Sequence, residues 1–368
     1  MLLLLTVAAC TNDVSPRDTA GHTIAYLLDG SPADAELVTS PAFAGLELAA
    51  RGSENVQIEP LDIGMGRDEV LASLRELGED PGVVAAVIAP WTAPPAGAVE
   101  LLAAAGVPVV TFSWAWGPPE EGEGLWVSFV TARAREAVIL LSGAADVASE
   151  GTPLCLAGDD HVTSVALLAT AQALGEAVGD PKLVMAGTAA TERAGTTGAV
   201  ATRIRDARCP ALLWIGGATD AAAVLSSIPD PPSVVATSRM KTDEGLEIAS
   251  SGIGLRTICA CMDESLSTEP RSQRFVHDLQ AESGAPPGPF SLEAYDAGRL
   301  LIGLLKGGED TREALAEALG DLGRFQGLGG TYAFGPDGSR VADPSAVGVW
   351  RASGSRWLSG TAPVGTPE

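Results

Sequence analysis

Residues 83–115 read VVAAVIAPWTAPPAGAVELLAAAGVPVVTFSWA. Val83 to Ala89 are seven consecutive apolar residues that stop at Pro90. A short, unbroken apolar run of this kind predicts a strand buried on both faces. AGAVELLAAAG (Ala96–Gly106) predicts a helix closed by its final glycine, and VPVVTFS (Val107–Ser113) a further strand. Strand, helix, strand is the repeating unit of a parallel sheet.

The same rhythm extends outward in both directions. Upstream, TIAYLL (Thr23–Leu28) reads as a strand. A helix follows with Phe43, Leu46 and Ala50 on one stripe, then a strand over Val56–Ile63. A second helix over Asp68–Asp80 places Val70, Leu71, Leu74 and Leu77 at helical spacing. Downstream, after LWVSFV (Leu125–Val130), the pattern restarts with a helix from Thr131. Strands are predicted at 153–158, 182–187, 211–217, 233–238 and 256–262, with helices between them. Two successive α/β sets of ordinary domain size result, and they look like two copies of one architecture. A helical stretch through Tyr295 and another through TREALAEALGDL (Thr311–Leu322) come next. The tail after Arg324 alternates like β-structure and turns at Pro336-Asp337-Gly338.

The chain has 368 residues, 46% of them hydrophobic, with Lys+Arg 23 against Asp+Glu 47 and a formal net charge of −24. Such an acidic surface repels phosphate backbones, so no nucleic-acid partner is expected. The amino terminus, MLLLLTVAAC, is a short apolar run followed by small residues and Cys10. Val7-Ala8-Ala9-Cys10 resembles a bacterial lipobox, in which Cys10 carries the lipid. The run is too short to span a bilayer, so membrane attachment by a lipid anchor alone is expected. Cys155, Cys209, Cys259 and Cys261 permit a disulfide in an exported protein, with the pairing left open. Cys259 and Cys261 would share one face of a strand and pack as small apolar groups.

Enzyme signatures fail. There is no G-x-S-x-G elbow, no G-x-G-x-x-G after the first strand of either set, no G-x-x-x-x-G-K-[ST] and no H-E-x-x-H. The three histidines, His22, His161 and His277, are widely spaced. No catalysis, cofactor or metal is expected.

Four segments together resemble one family. They are Val83–Ala115; PLCLAGDDHVTSVALLATAQALGEAVG (Pro153–Gly179); FSLEAYDAGRLLIGLLKGG (Phe290–Gly308); and RFQGLGGTYAFGPDGSR (Arg324–Arg340). Their order and spacing are similar to those of type I periplasmic binding proteins, specifically the branched-chain-amino-acid-type substrate-binding proteins of ABC transporters. The likeness runs from about Gly21 to Trp357. It implies an α/β fold of two Rossmann-like lobes with parallel-sheet cores joined by three crossovers. The implied boundaries are 1–20 for a signal remnant and linker, 21–130 plus 262–326 for lobe 1, 131–261 plus 327–358 for lobe 2, and 359–368 for a tail.

The resemblance also implies a cleft between the strand ends of the two lobes. From lobe 1 it points to Trp91, Thr92 and Ala93 after one strand and to Ser113, Trp114 and Ala115 after the next. The first loop would hold a ligand carboxylate with hydroxyls and helix-start N–H groups. An aromatic at a strand end, Trp91, Trp114 or Trp116, can wall a pocket. From lobe 2 it points to Asp160 and His161, and to Ser238 beside Thr237. Asp263 and Glu264 fall at the second crossover, Tyr295 would line the cleft, and Asp296 would be structural. The acid that amino-acid-binding members carry for the ligand's ammonium is not evident after the fourth strand of lobe 2, although Asp243 and Glu244 lie close. The implied function is a monomeric, lipid-anchored, extracytoplasmic binding protein that closes on a small polar molecule and hands it to an ABC permease. A sensor reporting to a signalling partner and a degenerate member that no longer binds are the alternatives within the fold.

Overall fold

The computed structural model describes residues 21–29, 41–64, 66–117, 125–148, 151–177, 183–191, 193–262, 269–341 and 347–360. Cys10, Asp263 and Glu264 lie outside the described residues.

The first lobe is built on five parallel strands, β1 (His22–Leu28), β2 (Val56–Asp62), β3 (Val83–Ile88), β4 (Val109–Thr111) and β5 (Trp126–Ser128), in the order β2-β1-β3-β4-β5. All six residues of β3 are buried, as the unbroken apolar run requires of a central strand. One face of the sheet is covered by α1 (Pro41–Ala50), α10 (Ser291–Gly307) and α11 (Arg312–Gly320). The other face is covered by α2 (Arg67–Glu79) and α3 (Ala98–Ala104). The stripe Val70, Leu71, Leu74 and Leu77 is the buried face of α2. Gly106, just beyond α3, has φ +65, the left-handed geometry that lets a helix end and turn into a strand. The helix α9 (Pro270–Ser283) packs beside α1.

The second lobe repeats the plan. Strands β6 (Leu154–Asp159), β7 (Leu183–Ala189), β8 (Ala211–Ile215), β9 (Ser233–Thr237) and β10 (Leu255–Cys259) are parallel in the order β7-β6-β8-β9-β10, the same connectivity as in the first lobe. One face carries α4 (Arg133–Ala145) and α5 (Val162–Ala177). The other carries α6 (Ala194–Ala207), α7 (Ala218–Leu225) and α8 (Asp243–Ser250). Two antiparallel strands, β13 (Gly348–Ser353) and β14 (Arg356–Ser359), extend the sheet beyond β10.

The tail therefore divides, which differs from the expectation that 327–358 belongs to lobe 2. The hairpin β11 (Arg324–Gly327) and β12 (Gly330–Ala333) sits on the first lobe. The Asp296 carboxylate on α10 accepts from the N–H groups of Leu328 at 2.7 Å and Gly329 at 2.9 Å, and from the Tyr332 hydroxyl at 2.9 Å. Tyr332 packs on Phe129, and the Gly338 carbonyl accepts from the Ser128 N–H at 2.9 Å. Period-two alternation identifies a strand but does not say which sheet it joins.

Cys155 on β6 and Cys209 at the end of the α6–β8 connection form a disulfide with Cα atoms 5.7 Å apart. Cys259 and Cys261 are buried against the first lobe's core, with Cα atoms 5.2 Å apart and their sulfurs in contact. Closing the 54-residue loop between Cys155 and Cys209 should contribute about 4 kcal/mol through the unfolded state. The double variant Cys155→Ala/Cys209→Ala should thus unfold at a clearly lower temperature than the oxidised protein. Equal midpoints by circular dichroism would show that the cross-link contributes nothing.

Candidate ligand cleft

Ligands of open parallel sheets lie beyond the carboxyl ends of the strands, where the strand order reverses. That point falls between β1 and β3 in the first lobe and between β6 and β8 in the second, and the loops there meet. The Trp91 indole N–H, after β3, donates to the Ser238 hydroxyl, after β9, at 3.2 Å. His161 Nδ1 lies 2.7 Å from the Thr163 hydroxyl and 3.3 Å from the Thr163 N–H, which orients the ring. Its Nε2 faces the Asp29 carboxylate, after β1, at 3.2 Å. Two contacts thus cross between lobes, each joining a residue named from the sequence to one at the opposite strand edge.

On the first-lobe wall, the Ser113 hydroxyl donates to the Thr92 carbonyl at 2.7 Å and accepts from the Ala115 N–H at 3.3 Å. This ties the loops after β3 and β4 into one unit, with Ala93 partly exposed beside it. Thr92 is fully buried and its hydroxyl has no hydrogen-bond partner. It does not cap a helix, because α3 begins at Ala98 with Gly97 in the cap position. The expected helix-start N–H groups are accordingly not at Trp91–Ala93. Trp91 takes a left-handed backbone, φ +64, that non-glycine residues seldom adopt. Its ring meets Trp114 edge-on at 6.4 Å, and the Arg133 guanidinium lies 5.4 Å above Trp114. Both tryptophans pack against the second lobe's core. Trp116 does not join them. It is buried in the first lobe and stacked on Trp126.

The second-lobe wall is organised by Asp159, which the sequence reading passed over. Its carboxylate accepts from the Gly217 N–H at 2.8 Å, the His161 N–H at 3.2 Å and the Arg239 guanidinium at 2.9 Å. Arg239 also donates to the Ser164 hydroxyl at 3.0 Å. One carboxylate thereby fixes the loops after β6, β8 and β9. A Cβ at Gly216 would come within 2.6 Å of that carboxyl group, so no other residue fits there without displacing it. Asp160 turns away and pairs with Arg193 at 2.7 Å on the same lobe. Tyr295 is not brought to the cleft. It packs on Phe275 of α9 at 5.1 Å. Glu244 accepts from the Thr219 hydroxyl within the second lobe.

At the floor of the cleft, Trp91, Phe112, Trp114, Val130, Thr131, Glu136, Ala260 and Phe290 enclose a small cavity. The Glu136 carboxylate accepts from the Ala260 N–H at 2.8 Å. Glu293 on α10 accepts from the Met262 N–H at 2.8 Å. Two buried glutamates, one from each lobe, thus hold the same crossover two residues apart. Burial pushes the Glu136 carboxyl up to about 7 against the pull of the Ala260 N–H. Burial likewise pushes Glu293 up to about 7, opposed by the Arg340 charge and the Met262 N–H. Glu136 shares a buried helix face with Leu140 and Ala144, and Glu293 one with Ala297 and Leu301.

Residues 35–355 match the family model described as periplasmic binding protein. The chain belongs to that family. Solved structures of the fold agree. An extracellular ligand-binding receptor from Desulfohalobium retbaense is 19% identical with a TM-score of 0.70, covering 92% of this chain and 59% of its own length. This chain therefore spans little more than half of that receptor. LivJ from Streptococcus pneumoniae, a branched-chain amino acid transporter substrate-binding protein solved with isoleucine, is 15% identical with a TM-score of 0.71, covering 92% and 100%. A solute-binding protein from R. palustris, solved with benzoate, is 15% identical with a TM-score of 0.67, covering 92% and 95%. No curated protein matches the sequence. The branched-chain-type fold expected from the four motifs is the fold observed.

The hinge glutamates generate a pH dependence. Their carboxyls stay protonated in the folded protein up to about pH 7, whereas in the unfolded chain they ionise near their ordinary value. Their contribution to stability is complete below that ordinary value and is lost as pH rises through about 7, on the order of 3 kcal/mol for each carboxyl. Glu136→Gln keeps an acceptor for the Ala260 N–H and removes the titration. Its thermal midpoint should fall less than the wild type's between about pH 5 and pH 8. Parallel curves would contradict the assignment.

Proposed function

We propose that this chain is an extracytoplasmic solute-binding protein of an ABC importer, anchored through Cys10 and acting as a monomer. It closes its two lobes on a small polar ligand such as an amino acid, an amide or a small carboxylate, and presents the closed form to a permease. The observation that carries this reading is that loops of the two lobes face each other at the strand edges where this fold takes its ligands, with His161 of the second lobe opposite Asp29 of the first. Closing such a cleft removes water from the guest and strengthens each polar contact made to it. The buried, unpartnered Thr92 hydroxyl supplies one donor for a ligand oxygen, and the tryptophan pair supplies the apolar wall.

One observation favours a second reading, a member that no longer binds. Trp91 already reaches across to Ser238, where a guest would lie.

A calorimetric screen of amino acids, amides and small carboxylates separates the two. At least one compound should bind, and Thr92→Val should weaken it about tenfold by removing one buried hydrogen bond. If nothing in the screen binds, the transport reading fails and the non-binding one stands.

A further inference from the structure

A second, open cavity of about 530 Å³ is bordered by α1, α9 and α10 of the first lobe and shares no lining residue with the cavity at the cleft floor; its volume is within the range of small-molecule sites. Four arginines line it, Arg51, Arg271, Arg274 and Arg299, with Asp278 the one carboxylate among the described lining residues. This is unusual in a chain with 23 basic residues against 47 acidic ones. Arg271, Arg274 and Asp278 recur on one face of α9 at spacings of three and four, so the cluster is built by helix periodicity. Arg299 follows Tyr295 by one turn of α10, and its guanidinium lies 5.9 Å over the Tyr295 ring. Phe275, buried beneath, packs on that same ring. Arg51 is held at the rim by an ion pair with Glu282. The result is a cationic rim over an aromatic floor, in a molecule whose remaining charge is strongly negative.

We propose that this cavity is a binding site for a small organic polyanion, a compound bearing two or more carboxylates or phosphates on a compact carbon frame. Guanidinium groups present paired N–H donors that match carboxylate and phosphate oxygens alike. Several of them converging on one space favour a multiply charged guest over a single charge. Tyr295 and Phe275 supply a surface for its apolar portion. The site is separate from the cleft and independent of what the cleft takes. It also gives Tyr295, an expected cleft residue, a different place of work.

Titration calorimetry at low ionic strength tests this with three probes. Citrate and pyrophosphate stand for the polycarboxylate and phosphate classes, and acetate is the monovalent control. One or both polyanions should bind with unit stoichiometry, and the stronger names the class. Arg271→Ala/Arg274→Ala removes two exposed side chains, so the fold is undisturbed. It should weaken binding by at least about tenfold. Thr92→Val, in the cleft, should leave polyanion binding unchanged, so failure of the cleft reading and failure of this one are read separately. No binding beyond that of acetate, undiminished binding by the double variant, or loss of binding in Thr92→Val would each overturn the proposal.

Discussion

Three chain crossings join the two lobes, and a buried polar cluster fixes their relation. The first crossing passes through Phe129, whose carbonyl accepts from Arg340 at 3.0 Å on the approach to the third. The Arg340 charge acts on Glu293, which holds Met262 in the second crossing, while Glu136 of the opposite lobe holds Ala260. These groups lie in the apolar interior, where leaving one unsatisfied costs about 1 to 3 kcal/mol. The crossings are thereby fastened by directional bonds instead of loose apolar packing, and everything above the hinge inherits their geometry.

The cleft above it is an asymmetric solution built on symmetric parts. Both lobes use the same strand connectivity, yet they stiffen their strand-end loops differently. The first lobe uses the hydroxyl of Ser113 to join two loops. The second uses one buried ion pair, Asp159 with Arg239, to join three. Such a pair is weak evidence for net stability, because both charges give up water. Its effect here is positional, since Ser238 and His161 reach the other lobe only if the loops bearing them stay in place.

Much of this was legible in the amino-acid order. Val83–Ile88 and Val70–Leu77 declare their elements because one is uniformly apolar and the other follows a helical period. The resemblance pointed to Trp91 and Ser113 after two such strands, and the loops bearing them are tied together at the strand ends. Tyr295 was misplaced because α10 presents different faces to the core, to α9 and to the hinge, and its sequence does not say which face meets which neighbour. Asp159 and Glu136 escaped notice for a related reason. A carboxylate reads as solvent-facing until the backbone N–H groups that satisfy it are known, and those of Gly217 and Ala260 lie 58 and 124 residues away.

The division of the carboxyl-terminal tail has a temporal meaning. Phe129 is roofed by Tyr332 and Phe334, residues about two hundred positions later in the chain, and β10 is shielded by β13 from still further along. Neither half can finish its interior as the polypeptide emerges. Long-separated contacts of this kind form late and slowly, so a nascent chain presents unfinished apolar faces until almost its last segment is available.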